Sequence, residues 1–100
     1  MNFEWDEEKN EQNIFKHDLD FFDAWEIFES PVLEEPDERF DYGEVRFTGY
    51  GFLRNLIVTV VFTERNGDTI RIISLRRATK YEREKFIKFI KDQLGTSGDD

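Results

Sequence analysis

Arg76, Arg77 and Lys80 bracket the point where a strand-like run gives way to a helical pattern. They lie in a stretch, Arg65 to Lys91, that holds nine bases against three acids. Guanidinium and ammonium groups beside the unpaired N–H groups of a helix N-terminus favour anions, so the chemistry open to this corner is phosphate binding. The same residues also read as a solvated basic helix face, partly neutralised by Glu82 and Glu84, and composition does not choose between the two. His17 is the single histidine and the one side chain whose unperturbed pKa lies near neutrality. Its place at the end of a predicted helix favours a solvated or helix-capping role over acid–base work.

What is missing narrows the chemistry further. There is no cysteine, which removes a disulfide framework, a thiolate metal site and a cysteine nucleophile together. One histidine makes a histidine-rich zinc site a poor fit. Gly49-x-Gly51 lacks the strand–turn–helix setting of a nucleotide-binding loop. No metal and no cofactor is expected.

The elements that must position these groups come from 100 residues, a length that suits one compact domain, expected over 1–94 with a flexible acidic tail over 95–100. Hydrophobic residues are 38%, low for a globular domain, but eleven Phe, three Tyr and two Trp argue for a small aromatic core and against disorder. No apolar run approaches the roughly 18 residues of a membrane span, and the acidic N-terminus is unlike a signal peptide. A soluble, cytoplasmic chain is the expectation. The net charge of −9 is unevenly placed: residues 1–46 carry 16 acids and 4 bases, residues 47–100 carry 7 and 10. A basic C-terminal half is attached to an acidic N-terminal one, and local field matters more than the total.

Met1–Trp5 reads as a short strand. Asp6 caps a helix to about Lys16, with Ile14 and Phe15 as its apolar anchors, and Asp20 caps a second helix to Phe28 with Phe21, Trp25 and Phe28 at i, i+4, i+7. Pro31 ends it. A short strand at Val32–Leu33 leads into an acidic loop over 34–44, and Val45–Tyr50 alternates as a half-buried strand before a turn or bulge at Gly49 and Gly51. Leu56–Glu64 and Thr69–Arg76 form a hairpin about Asn66-Gly67, a dipeptide suited to turns with φ > 0 at both positions. Thr79-Lys80-Tyr81-Glu82 is a capping box, opening a helix to about Leu94 with Phe86, Ile87, Ile90 and Leu94 on one face and Gly95 as its stop.

A two-residue turn predicts that Glu64 faces Thr69, Phe62 faces Arg71, Val60 faces Ile73 and Val58 faces Leu75. One face then carries Val58, Val60, Phe62, Glu64, Arg71, Ile73 and Leu75. The other carries Thr59, Val61, Thr63, Arg65, Ile70, Ile72, Ser74 and Arg76. Both are apolar at their centre, so helices are expected over much of each. Arg71 reads as a structural salt-bridge partner. Arg65 and Arg76 share a face, near opposite ends.

Taken in order, these residues resemble the BrnT family of toxins from bacterial type II toxin–antitoxin pairs. The resemblance rests on Phe3-Glu4-Trp5-Asp6 with Lys9, Asn10, Asn13, Lys16 and His17, on Phe21-Phe22-Asp23-Ala24-Trp25-Glu26-Ile27-Phe28 with Pro31, and on Gly43-Glu44 with Arg46. It continues through Thr63-Glu64-Arg65 and Arg71-Ile72-Ile73-Ser74 into Arg76-Arg77-Ala78-Thr79. The family's pattern has Gly where this chain has Asp18, and Ala where it has Leu75.

That resemblance implies an α+β fold similar to RelE-type ribonucleases: an antiparallel sheet packed with two N-terminal helices and one C-terminal helix. It implies a metal-independent endoribonuclease that blocks translation and is neutralised by BrnA, an antitoxin with a ribbon-helix-helix DNA-binding domain, so that contact with DNA is only through the partner. RNA 2′-hydroxyl attack on the adjacent phosphate needs a base, an acid for the leaving oxygen, and cations about the phosphorane. Carried onto this chain, Arg65 and Arg76 are the phosphate stabilisers, His17 or Glu64 the base or acid, and Tyr81 a further proton donor, with Arg77 and Lys80 binding substrate. The acidic balance leaves a second reading, a weak or inactive subunit that only binds its antitoxin.

Overall fold

The computed structural model describes residues 1–38 and 43–95. The elements follow the order β1 (Asn2–Glu4), α1 (Glu7–His17), a 3₁₀ helix (Phe21–Glu29), β2 (Leu33–Asp37), β3 (Arg46–Leu53), β4 (Leu56–Arg65), β5 (Thr69–Arg77) and α2 (Lys80–Gln93). The five strands form one sheet in the order β1-β5-β4-β3-β2. Four of them are antiparallel neighbours, and β1 joins the edge of β5 in parallel, which makes the α+β sheet mixed. The acidic tail beyond Gly95 and positions 39–42 of the acidic loop lie outside the described residues.

The hairpin keeps its turn chemistry but not its register. Asn66 and Gly67 both have positive φ, 55° and 83°. The ladder, however, closes between Arg65 and Thr69, because Asp68 is taken up in the loop, its carbonyl accepting from the Asn2 N–H at 2.9 Å. One extra residue flips every side chain that follows to the other face. Ile70 and Ile72 therefore turn inward, opposite Glu64 and Phe62, and Arg71 turns outward, opposite Thr63. A bulge at Ile73 then adds a second extra residue and restores the parity, so Leu75 pairs with Val60 inside and Arg76 with Thr59 outside.

The corrected register gathers the apolar side chains on one face. Val58, Val60, Phe62, Ile72 and Leu75 are buried there against Phe21, Ala24 and Ile27. Phe3, Phe28, Phe62 and Phe47 form a continuous ring contact across it, with centroids 5.7, 5.3 and 5.6 Å apart in turn. The opposite face is covered only at one end, where Phe86 of α2 meets Phe52 edge-on at 5.0 Å. Among the described residues no helix crosses its middle, contrary to the expectation of helices over both faces.

The second N-terminal helix is 3₁₀ rather than α, with a period of three. Phe21, Ala24 and Ile27 face the core, while Phe22, Trp25 and Phe28 form the next face and Asp23, Glu26 and Glu29 the third. Trp25, expected inside by an α-helical period, is therefore half exposed. Gly49 and Gly51 do not turn the chain either: β3 runs through both. A Cβ on Gly51 would lie 2.8 Å from Ile27 Cγ2, so the missing side chain is what lets the 3₁₀ helix sit on the sheet. The turn falls instead at Arg54, with φ 57°.

Helix α1 begins as expected, with the Asp6 carboxylate accepting from the Glu8 and Lys9 N–H groups. Its expected anchors are not buried: Phe15 is 92% and Ile14 38% exposed. The helix docks instead through two buried amides. Asn13 donates to the carbonyls of Leu19 (3.0 Å) and Leu75 (2.8 Å) and accepts from the Leu75 N–H (3.1 Å). Asn10 donates to Asp20 (2.9 Å) and accepts from the Phe21 N–H (2.8 Å).

Two outcomes follow for stability. Asn13→Ala strands both polar groups of Leu75 in a buried setting, at a cost of about 1–3 kcal/mol each before relaxation. Urea unfolding should show a loss of more than about 2 kcal/mol, and a loss below about 0.5 kcal/mol would remove this anchor. Asp18 ends α1 with φ 57°, where the family pattern has Gly. Asp18→Gly relieves that left-handed strain, and a rise in thermal midpoint equivalent to about 0.5–1 kcal/mol is expected.

Candidate active site

The uncovered sheet face is built in rows that the register defines. Leu33, Tyr50, Thr59 and Arg76 lie side by side across β2, β3, β4 and β5. The next row is Glu35, Thr48, Val61 and Ser74. Further along, Arg71 stands between Thr63 and Glu4. Helix α2 rises at the Arg76 end and sets Glu82 against Thr59 and Arg76 and Lys85 over the Tyr50 ring. The result is a cleft of about 260 Å³ lined by Glu35, Thr48, Tyr50, Thr59, Arg76 and Glu82, among others.

Glu82 organises this cleft. Arg76 meets it with two parallel donors, Nη1 at 2.8 Å and Nη2 at 2.9 Å, the fork geometry that suits a carboxylate. The same carboxylate accepts from the Thr59 hydroxyl at 2.9 Å and the Thr79 N–H at 2.9 Å, which completes the predicted capping box. The Arg76 bonds above all, helped by Thr79 and Thr59 against the cost of burial, hold its carboxyl down to about 2.

On the other wall, Lys85 pairs with Glu35, and that bond raises its pKa. Its ammonium also lies 5.7 Å from the Tyr50 ring centre and 5.9 Å from that of Tyr81. The Tyr50 hydroxyl donates to Glu35 at 3.4 Å, and burial, then the Glu35 charge, push its pKa up. The cleft thus brings together a guanidinium, a phenol and four carboxylates, Glu35, Asp37, Glu38 and Glu82, with the Lys85 ammonium and the Tyr81 phenol beside it. Such a set can bind an anion and move protons at its edge. Among the described residues no group of three or more His, Asp or Glu side chains is placed to hold a metal ion.

The sequence-predicted residues fall in six places. Arg76 lines this cleft, and Tyr81 stands beside it next to Lys85. Arg65 is on the same face, but six residues along β4 from Thr59, about 20 Å at the strand rise. There it pairs with Glu44 at 3.3 Å and Glu4 at 3.9 Å, beside Arg71, whose expected structural ion pair is made with Glu4 at 3.1 Å rather than with the diagonal Glu64. Glu64 points to the opposite side, against Met1, Asp68 and Ile70 at the hairpin end.

His17 lines a separate cleft with Lys9, Lys16, Ile73 and Ser74. Arg77 turns away from Arg76, donates to the His17 carbonyl at 3.4 Å, and lines a third cleft with Asp18, Asp20, Asp23 and Arg54. Lys80 is exposed on the first turn of α2, whose end is already capped by Thr79 and Glu82. Sequence reading passes over Tyr50, Glu35 and Thr59, and counts Lys85 only among the basic set. The expected hairpin already carries Thr59 to the face of Arg76, because the shifts at Asp68 and Ile73 cancel, and the β3–β4 pairing adds Tyr50.

The architecture defines a small α+β protein with one sheet, the 3₁₀ helix packed on one face, and a charged face on the other that α2 covers only at one end. Residues 5–82 match the family described as the ribonuclease toxin, BrnT, of type II toxin–antitoxin systems. The fold is similar to the 1.1 Å crystal structure of the Brucella abortus ribonuclease toxin BrnT, with 32% identity and a TM-score of 0.66, over 80% of this chain and 99% of that one. No curated protein sequence matches it. The chain belongs to the BrnT family of ribonuclease toxins, and its type II system implies an antitoxin partner. Arg65, Arg76 and Tyr81 lie within the matched span, and Lys85 lies just beyond it.

The Glu82 cluster sets an acid limit on stability. A carboxyl held near 2 in the fold but near about 4.3 unfolded contributes stability that is complete above the unfolded value and lost as pH falls toward 2. Thermal midpoints between pH 5 and pH 2 should fall less steeply for Glu82→Gln than for the unaltered chain. Equal slopes would show that the Arg76–Glu82 fork is not the source.

Proposed function

We propose that this chain is a metal-independent endoribonuclease that cleaves RNA, blocks translation in the cytoplasm, and is silenced by a BrnA-like ribbon-helix-helix antitoxin that alone contacts DNA. The reaction is attack of a ribose 2′-oxygen on the adjacent phosphorus as the bond to the 5′-oxygen breaks. The 2′-hydroxyl proton passes to a base, and a second proton goes to the departing oxygen. The products are a 2′,3′-cyclic phosphate and a 5′-hydroxyl end.

The observation that carries this reading is the meeting of Arg76 and Tyr50 in one cleft of a BrnT-family sheet, with Lys85 over the Tyr50 ring and Tyr81 beside Lys85. Arg76 and Lys85 are the cations for the phosphorane. Tyr81, 70% exposed at the rim beside Lys85, is placed to protonate the leaving oxygen. Arg65 and Arg71, at the far end of the same face, would hold a phosphate further along the strand of RNA. His17, Glu64 and Arg77 border other clefts and Lys80 flanks the α2 end, so they act at most on flanking nucleotides in this arrangement.

A specific observation favours the second reading, a weak or inactive subunit that only binds its antitoxin. Arg76, Arg65, Arg71 and Lys85 each meet a carboxylate within the fold, so RNA must displace Glu82, Glu44, Glu4 and Glu35 to reach them. Phosphate affinity rests on Lys and Arg, and every pairing lowers it.

Purified chain incubated with a mixed RNA substrate in the presence of EDTA should yield cyclic-phosphate ends. Arg76→Ala should lower the rate by about 10²–10³-fold, as for loss of one transition-state donor. Cleavage unaffected by that change would move the site elsewhere. No cleavage by soluble, folded protein, and no growth arrest on expression, would leave the binding-subunit reading in its place.

A further inference from the structure

The 3₁₀ helix presents a face of which the core takes only Phe28. Side chains three apart eclipse in such a helix, so Phe22 and Trp25 stand in line, 66% and 47% exposed. Trp5 extends the stripe at one end, its ring edge-on to Phe22 at 6.5 Å. Large aromatics exposed side by side are the residues on which protein interfaces concentrate their affinity. Phe22 and Trp25 are absent from the core, which takes Phe21, Ala24, Ile27 and part of Phe28 from the same helix, while Trp5 packs partly against it.

The surroundings say what chemistry fits. Residues 4–29 carry ten carboxylates and two lysines. On the next face of the 3₁₀ helix, Asp23 and Glu26 share a single guanidinium, Arg54, at 3.3 and 3.1 Å, and Glu29 is exposed. Glu7 accepts from the Trp5 indole N–H at 3.1 Å, beside the exposed Glu8. An aromatic stripe rimmed with surplus negative charge repels RNA. It suits a protein segment with apolar side chains set among Lys and Arg.

We propose that Trp5, Phe22 and Trp25 form the docking stripe for the antitoxin, which inserts apolar residues of a basic segment there. The proposal rests on the type II reading and goes beyond it by placing the interface on the side of the sheet away from the Arg76 cleft. The antitoxin therefore need not fill that cleft to bind.

The test uses the full chain and the purified product of the reading frame adjacent to its own. Trp5→Phe leaves Trp25 as the only tryptophan, and its emission should shift to the blue on titration with that product. Phe22→Ser and Trp25→Ser should each weaken binding by more than about 10-fold, and Tyr81→Ser, an exposed aromatic on the other side, by less than 2-fold. Raising salt from 0.05 to 0.5 M should weaken binding of the unaltered chain severalfold.

Circular dichroism of each variant checks that it remains folded, so that a loss of binding reads the surface. Tight binding with no Trp25 shift, or a loss confined to Tyr81→Ser, overturns the stripe and leaves the antitoxin reading standing. A blue shift that grows with the concentration of the chain alone assigns the stripe to a second copy and overturns the proposal. No binding by the unaltered chain overturns the partner, and the stripe with it.

Discussion

One side-chain amide holds the architecture together. Beyond Arg71, β5 has no strand on its outer side among the described residues, because β1 pairs with it only from Thr69 to Arg71. The N–H and C=O of Leu75 would be bare at that edge, yet Leu75 is fully buried. Asn13 meets both of them, as a neighbouring strand would, and reaches the Leu19 carbonyl as well. A single residue thus ends the sheet, docks α1 and orients the segment leading to the 3₁₀ helix. Asn10, one turn earlier on the same side of α1, fixes the start of that helix through Asp20 and Phe21. The separation of Arg76 from Arg77 onto different surfaces begins one residue after the clamp.

The charge pattern takes its physical meaning from the fold. Three carboxylates of the acidic half, Glu4, Glu35 and Glu44, are carried by β1, β2 and the approach to β3, and all three end on the uncovered face beside cations of the basic half. The net −9 is therefore not a field spread over the whole surface. It is neutralised across the sheet and left in surplus along α1 and the 3₁₀ helix. An RNA strand and a basic protein segment would meet opposite sides of one small molecule.

Much of this was legible in the residues themselves. Caps at Asp6, Asp20 and Thr79 marked three helix starts because each side chain satisfies N–H groups that nothing else reaches. The BrnT family could be read from blocks of residues in order, and the match over 5–82 bears it out. What was not legible is where a residue is added without changing composition. Asp68 at the turn and Ile73 in β5 each shift parity by one, and no propensity distinguishes a strand with an extra residue from one without. The 3₁₀ period was hidden for a related reason. Phe21, Phe22, Trp25, Ile27 and Phe28 satisfy both periods, and only packing against Gly51 selects Ile27 over Trp25 for the interior. The candidate site suffered most: Thr59 and Arg76 were legible on one face, but Tyr50 and Glu35 join them only through the β2–β3–β4 pairing.

The period of three in the 3₁₀ helix also separates evolutionary pressures that an α-helix would mix. Every third residue answers to the core, every third to the aromatic surface, and every third to the carboxylate rim. A substitution at Phe22, Trp25 or Glu29 changes what the outside can recognise while leaving Ala24 and Ile27 in place. Recognition can therefore drift residue by residue, and a toxin and its antitoxin can diverge as a matched pair while the scaffold beneath them stays fixed.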